Sequence, residues 1–525
     1  MNLNETTTLS SSINSAPPSP SPSPSTTTRK RRIADVLTPC LIETSVSIVL
    51  GTAGYFGYHL GVINAPIDVV ISHFENRSCR AVVVASASAS IFGTHLRCVR
   101  GENLYALGFA LFAVGGFVGS IVAGFPADTI GRKWTLVLNN VFAVAGALMM
   151  ALSSSFWLFL AGRFVSGFAS GIGITVGQVY LSEISPASIR GLVGTFFELG
   201  VVGFIFLSEI LGIPEVLGTR ENDGWRYLFG LTVVLSGAQL FSLPFFPRSP
   251  RHLYLHQNEK RKAADALRRL HGANNVASAL VELQTEKETA TEAKVTLADF
   301  FRLPHLRYPL LVNFGIRFAR QISGVNAVVF YSTKLFEESG LASPAIVTIL
   351  VGVFLILLTV LVAWKVDSIG RRSLLLYGFG IIMISNMCVT IGLCFKVGFY
   401  SDHKVGSGIT LPDILTIASS LLLSAGFAIG PGPVSWISGS EVFNQGPRVR
   451  AVGLIELANW VSIGAMGYAF PSFFDFFYPY GMIVLAGVAG IAWIFVYVYM
   501  FETKGKSVNE ITKKIRDRAN GRVSR

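Results

Sequence analysis

Long apolar runs alternate with short, mostly basic polar segments over most of the chain. A bilayer core takes about 20 consecutive apolar residues per helix. Windows of that size predict spans over 40–64, 103–127, 134–152, 156–181, 190–212 and 226–246. A long polar segment follows, then spans over 307–331, 342–364, 373–396, 413–438, 449–473 and 479–500. This is the pattern of an all-α membrane protein with twelve transmembrane helices. The interruption at 248–306, which includes EKRKAADALRRLHG, reads as short amphipathic helices on a membrane surface. Residues 1–38 include the run SAPPSPSPSPSTTT, carry too few apolar side chains to fold, and predict a disordered tail. The chain therefore divides into this N-tail, a six-helix half at 39–247, a linker at 248–306, a second six-helix half at 307–503 and a C-tail at 504–525.

The basic residues assign the sides. Arg29-Lys30-Arg31-Arg32, directly before the first run, hold the N-terminus in the cytoplasm. Even numbers of crossings then place the linker and the C-tail there too, the latter with Lys504, Lys506, Lys513, Lys514, Arg516, Arg518, Arg522 and Arg525. GRK at 131–133, Arg190, GRR at 370–372, Arg448 and Arg450 land on the same side. The first outer loop, about 38 residues long, carries Arg77, Arg80, Arg97 and Arg100 against this bias, and this one loop does not overturn the agreement of the others. No cleavable signal peptide is expected. Composition agrees: 51% hydrophobic, 14% charged and mean hydropathy +0.54, where soluble domains run at about a quarter charged. The net charge of +12 resides in loops and ends, so it gives no basic face for nucleic acid.

Cys40, Cys388 and Cys394 lie in or beside apolar runs and read as packing residues. Cys79 and Cys98 share the outer loop, where a disulfide is permitted and two free thiols are the alternative. The same loop holds Asn76-Arg77-Ser78, a glycosylation sequon on the correct side. No Cys/His spacing suits a metal, and the aqueous segments hold no catalytic constellation or phosphate-binding loop. Neither cofactor nor enzyme activity is expected.

An internal repeat is present. Asp128-x-x-Gly131-Arg132-Lys133 follows the second span, and Asp367-x-x-Gly370-Arg371-Arg372 follows the eighth. Glu183 and Arg190 stand seven apart at the fourth-to-fifth junction, as do Glu441 and Arg448 at the tenth-to-eleventh. Two signals recurring in register indicate two related halves. Parallel repeats about an axis normal to the membrane are the pattern of a rocking transporter with its substrate at the midplane. The paired acids and bases at cytoplasmic helix ends can latch that side closed and release it on rocking; simple topology determination is the alternative for the basic residues alone.

On these and further residues the chain resembles the sugar porters of the major facilitator superfamily, most closely animal facilitative glucose transporters. The resemblance covers about 45–505. Its carriers are Gly57-Tyr58, Gly61-Val62-Ile63-Asn64-Ala65-Pro66, Gly162-Arg163-Phe164, Glu183 to Arg190-Gly191, and Pro247-Arg248-Ser249-Pro250-Arg251. The second half adds Gln321-Ile322-Ser323-Gly324-Val325-Asn326-Ala327, Gly430-Pro431-Gly432-Pro433, Asn459-Trp460 and Glu502-Thr503-Lys504-Gly505. The resemblance implies a major facilitator fold, hexose substrates and no enzyme activity. It implies sugar contacts from Gln321, Asn326, Trp436, Asn459 and Trp460. Amides supply both donors and acceptors for hydroxyls, and aromatic faces suit the C–H faces of a sugar. The alternative is that these side chains join helices, as polar residues often do in membranes.

The chain departs from the family pattern in the pocket itself. Glu198 stands where the family has Gln, Arg320 at a second sugar-binding Gln, and Arg317 at a polar uncharged position. Ala428 replaces Glu, Leu355 replaces an Asn, His59 replaces an Asn and Glu456 replaces a small residue. An ionised residue at mid-membrane costs roughly 3 kcal/mol on the insertion scale, so Glu198, Glu456, Arg317 and Arg320 must be paired, hydrated or neutralised. The resemblance implies that Glu198 and Arg320 stand on facing walls of the substrate cavity, where an ion pair is expected, with a purely structural staple as the alternative. His59 takes the position where proton-coupled sugar porters carry Asp. Imidazole titrates near neutral pH, so His59, Glu198 and Glu456 are the candidates for proton linkage. Arg248, where Glu is usual in the family, is expected to weaken one cytoplasmic latch contact.

The function these observations imply is facilitative transport of hexose across the plasma membrane, with both termini cytoplasmic and a monomer as the expected unit. The partners are a small-molecule substrate and the lipid bilayer. A proton-coupled sugar or organic-acid symporter and a non-transporting nutrient receptor remain as alternatives.

Overall fold

The computed structural model describes residues 37–63, 69–70, 73–74, 101–213, 216–217, 223–289, 295–326, 344–400, 410–444, 446–504 and 510. The regular elements among the described residues are all helical. Eleven helices there are long and apolar enough to cross a membrane: Pro39–Gly61, Leu107–Thr129, Arg132–Ala151, Phe156–Ile184, Arg190–Leu211, Gly224–Phe245, Ile349–Ile369, Arg371–Val397, Leu411–Val442, Arg448–Phe470 and Gly481–Tyr499. Pro304–Ile322 stands between the sixth and seventh of these. It is long enough but carries Arg307, Arg317 and Arg320. With it the bundle has twelve helices, numbered first to twelfth in chain order below. The expected glycosylation site Asn76 and the cysteines Cys79 and Cys98 lie outside the described residues.

The repeat read from the motifs recurs in the packing. In the first half the fourth helix packs on the second and third, the third on the sixth, and the first on the fifth. In the second half the tenth packs on the eighth and ninth, the ninth on the twelfth, and the seventh on the eleventh. The halves meet through two equivalent pairs, fifth against eighth and eleventh against second. This arrangement of twelve helices in two six-helix halves is the major facilitator fold. Close approach within the halves rests on small residues: a Cβ on Gly167 would stand 2.0 Å from the Phe112 carbonyl oxygen, and one on Gly430 2.3 Å from that of Leu374. Lipid offers no hydrophobic drive between helices, so close packing of this kind holds them. Large apolar side chains such as Phe241, Leu361, Trp364 and Ile491 stay exposed on the outside, as lipid-facing residues must.

Two helices differ from the continuous spans the hydropathy predicts. The tenth breaks into Leu411–Ile429 and Pro431–Val442, because Gly430-Pro431-Gly432-Pro433 removes two backbone donors. The seventh stops at Ile322, and Gly324 follows at φ +106°. Both breaks adjoin the central cavity.

The linker forms Pro250–Leu255, Lys260–His271, Val276–Thr289 and Asp299–Arg302. Ala263, Ala266 and Leu267 recur at helical spacing and are buried against Leu253, Tyr254, Val276 and Leu283, while Leu270 on the same helix is buried in the core of the first half. Thr38 caps the first helix and donates its hydroxyl to the Leu270 carbonyl at 2.7 Å, so the linker is tied to the start of the bundle.

Candidate substrate cavity and its gates

A cavity of about 760 Å³, including its open mouth, lies between the halves. The first and fifth helices give Phe56, Leu60, Glu198, Val201, Val202, Ile205, Phe206 and Glu209; the seventh, eighth and tenth give Arg320, Gln321, Val325, Asn326, Val351, Gly352, Leu355, Ser424 and Phe427. Four residues of the expected substrate set therefore line it: Glu198, Arg320, Gln321 and Asn326. Asn326 lies just beyond the Gly324 turn and donates to both the carbonyl and the side-chain oxygen of Gln321, each at 2.8 Å. Gln321 in turn donates to Asn459 Oδ1.

Trp436, Asn459 and Trp460 are not among the lining residues; they are buried behind the wall. Trp436 donates its indole N–H to Glu198. Trp460 donates to Ser120 Oγ at 2.9 Å and meets Phe56 and Phe112 edge-on. Gly116 is required beneath it, since a Cβ there would stand 2.3 Å from the indole.

The expected ion pair is present. Arg320 Nη2 lies 3.0 and 2.9 Å from the two Glu198 oxygens, joining the seventh helix to the fifth across the two halves. Arg317 makes a second pair, 2.7 Å from Glu456 on the eleventh helix, and Gln178 of the fourth donates to the same carboxylate at 2.9 Å. Both guanidiniums lie near the Trp436 ring, at 4.0 and 5.1 Å from its centroid. Four buried charges thus offset one another, as the cost of isolated charge demands. Ala428 and Leu355 sit in the apolar packing of the second half. His59 is fully buried against Tyr55 and Phe112, with neither ring nitrogen hydrogen-bonded, and does not line the cavity.

Sequence reasoning missed Glu209. It lines the cavity on the same face of the fifth helix as Glu198, eleven residues and about 16 Å further along. Among the described residues it has no hydrogen bond or ion pair. Its three-turn spacing from Glu198 was the available signal.

At the linker end the two motif sets build matching clusters. Arg132 pairs with Glu183 at 3.1 Å and with Asp128 at 3.9 Å; Arg371 pairs with Glu441 at 2.9 Å and with Asp367 at 2.8 Å. Gly131 and Gly370 take φ +87° and +110°, which turns the chain sharply into the following helix. A hydroxyl completes each cluster: Ser249 donates to Glu183 at 2.5 Å and Thr503 to Glu441 at 3.0 Å. Each cluster also reaches the other half. Asp128 meets Arg450 at 3.2 Å, and Asp367 accepts the Leu192 backbone N–H at 3.0 Å. The residues seven apart do not pair with each other. Glu183 and Glu441 take the motif arginines instead, Arg448 lies 3.9 Å from Glu286, and among the described residues Arg190 has no carboxylate within 4.0 Å.

The linker adds charges of its own. Arg251 is held between Glu282 at 2.9 Å and Glu286 at 2.7 Å. Arg132 Nη1 lies 2.9 Å from His252 Nδ1, an approach that needs the neutral ring as acceptor. Burial, then the neighbouring Arg132 charge, push His252 down to about 4. Burial also lowers His256 and His271. Among the described residues Arg248 has no carboxylate within 4.0 Å; it stands over the Trp134 ring.

Comparisons with known proteins agree with this geometry. The family model described as "Sugar (and other) transporter" matches residues 44–514, and the chain belongs to that family, one of transporters rather than enzymes. The facilitated glucose transporter member 3 of Ovis aries is 32% identical over 482 residues, covering 91% of this chain and 93% of that one. Member 2 of Rattus norvegicus is 32% identical over 511 residues, covering 92% and 95%. Among solved structures, the proton:xylose symporter XylE bound to 6-bromo-6-deoxy-D-glucose matches with TM-score 0.74 at 21% identity, covering 90% of this chain and 98% of that one. The inward open form of XylE from E. coli matches with TM-score 0.65 at 21% identity, covering 90% and 99%. At that identity the likeness supports the fold. The chain is a multi-pass membrane protein of the major facilitator fold.

Proposed function

We propose that this protein is a facilitative carrier of hexose or a hexose-like solute, working at the plasma membrane by alternating access of its two halves, with both termini cytoplasmic. The observation that carries the reading is one cavity between the halves whose wall joins the Gln321–Asn326 amides to apolar and aromatic faces. Amides satisfy hydroxyls in either sense, and Phe56, Leu60 and Phe427 suit the C–H faces of a pyranose. Trp436, Asn459 and Trp460 act from behind the wall, holding Glu198, Gln321 and the Phe56 ring in place. The Glu198–Arg320 pair supplies further donors and acceptors and must open or slide when the halves rock. The clusters around Arg132 and Arg371 latch the cytoplasmic end. The relatives' description as glucose transporters supports the substrate class.

Uptake of labelled glucose into proteoliposomes, with unlabelled fructose, galactose and urate as competitors, tests the reading. Saturable uptake that hexoses suppress is expected, with Gln321→Ala and Asn326→Ala each lowering it at least about fivefold, since losing one buried polar contact costs about 1–3 kcal/mol. Uptake suppressed by urate and not by hexoses would move the substrate to organic acids.

Proton-coupled transport is the second reading, and Glu209 favours it. Glu198 and Glu456 each have an arginine partner, whereas Glu209 faces the cavity with none among the described residues. Unpaired intramembrane acids mark proton paths in many transporters. Uptake driven by an inward proton gradient, and lost in Glu209→Gln, would establish it; uptake indifferent to the gradient leaves the facilitative reading alone.

A further inference from the structure

Three basic side chains gather at one corner of the linker end without an acid among them. Lys133, the second residue of the third helix, donates Nζ to the Pro244 and Phe246 carbonyls, each at 2.7 Å. Arg269, from the linker helix Lys260–His271, donates to the Phe245 carbonyl at 3.1 Å. Arg248 follows the sixth helix after Phe246 and Pro247. Its guanidinium stands 5.9 Å from the centroid of the Trp134 ring, which Lys133 Nζ approaches to 5.3 Å. Arg248 and Arg269 both bear electrostatically on Lys133. Among the described residues none of the three has a carboxylate within 4.0 Å. Four other cations at this end have carboxylate partners, Arg132 with Glu183, Arg251 with Glu282 and Glu286, Arg371 with Glu441 and Arg450 with Asp128, whereas Arg190 and Arg372 stand singly with none within 4.0 Å among the described residues.

The position of the cluster says what would complete it. Lys133 and Arg248 mark the ends of two spans, Arg132–Ala151 and Gly224–Phe245, so the charges lie where the apolar bundle surface gives way to the polar linker. Beside them the surface is aromatic and open: Phe241 is 78% exposed, Phe245 66% and Trp134 36%, with the two phenyl rings 6.0 Å apart. Cations at the boundary with exposed rings next to them match a molecule that is anionic at its head and apolar in its tails. The ligand of that form at a bilayer boundary is an anionic phospholipid. We propose that Lys133, Arg248 and Arg269 bind the phosphate of such a lipid in the leaflet facing the linker, with its acyl chains against Phe241, Phe245 and Trp134. The charge-assisted hydrogen bonds to phosphate relieve the repulsion among the three cations. They also tie the linker helix to the third and sixth helices through one headgroup. Arg248, which stands aside from the latch, then has a use at the lipid surface.

The experiment is a thermal-shift titration of the purified full-length protein in detergent with phosphatidylglycerol, phosphatidylcholine or inorganic phosphate. A saturable rise in Tm with phosphatidylglycerol alone is expected. The Arg248→Gln/Arg269→Gln variant should bind it about thirtyfold more weakly, on the order of fivefold for each basic residue removed. Arg248→Lys/Arg269→Lys should keep most of the response. Native mass spectrometry of the wild-type protein supplies a readout that needs no variant, with retained phosphatidylglycerol expected over phosphatidylcholine. An equal response to phosphatidylcholine, or a full response in the Gln variant, would overturn the proposal. A rise with inorganic phosphate equal to that with the lipid would make this a site for soluble anions and overturn the lipid assignment.

Discussion

Glu198 and Arg320 carry opposite charges into the middle of a membrane, and each is tolerated because of the other. Removing one partner of a buried pair leaves an uncompensated charge and costs about 3–5 kcal/mol. Glu198→Arg should therefore abolish uptake and lower Tm, and Glu198→Arg/Arg320→Glu should restore part of both. Assays of the two variants side by side check this; no recovery in the double variant would separate the pair from transport. His252 gives a pH dependence with a defined sign. Its folded-state value near 4 lies below the reference near 6.5. The unfolded chain therefore takes up the proton first, and the stability due to the neutral ring is present above about pH 6.5 and lost as pH falls towards 4. Tm should drop across that window, and His252→Gln should flatten the drop. The charged residues of the pocket were legible as departures from a pattern; the cost of isolated charge said that they need partners, and the family geometry said that Glu198 and Arg320 face each other. The partner of Arg317 was not legible, because nothing in a linear sequence says that the seventh helix turns that side chain to Glu456 on the eleventh. The indirect roles of Trp436, Asn459 and Trp460 were hidden for the same reason: a residue type declares its chemistry but not which side of a wall it takes.

At the scale of elements, hydropathy located the spans but not their interruptions. The seventh helix fails the test of apolarity because of arginines that are answered by acids on the fifth and eleventh helices. The breaks at Gly324 and Gly430 come from backbone chemistry, which a hydropathy window averages away. The glycines of the repeated motifs are legible as turns, and their demand is specific. Gly370 sits at φ +110°, and a Cβ there would stand 2.7 Å from a Glu502 oxygen whose carboxylate accepts the Arg371 and Arg372 backbone N–H groups. Gly370→Ala should cost about 1–2 kcal/mol from the left-handed backbone alone. It should also disturb the carboxylate that complements the N-terminus of the ninth helix. Thermal unfolding checks this; an unchanged Tm would mean that the turn relaxes freely.

For the whole molecule, the repeated motifs announced two related halves, and the packing carries the repeat into three dimensions. The two contacts that cross between halves at the linker end occupy equivalent places, Arg450 with Asp128 and the Leu192 N–H with Asp367. Closure at that end is therefore shared between the halves, so weakening both contacts should exceed the effect of either. Asp128→Asn/Asp367→Asn should widen the distance distribution between spin labels placed on the linker-end tips of the two halves, each single variant less so. An unchanged distribution in the double variant would show that closure rests on other contacts.

The central claim is that hexose crosses by alternation of these halves around one cavity. Counterflow tests it most directly: labelled glucose entering proteoliposomes preloaded with unlabelled glucose, compared with empty ones. A carrier predicts faster, transiently concentrating entry into the preloaded vesicles, because the loaded site returns by exchange. Equal entry into both, or none from folded protein, would contradict the account.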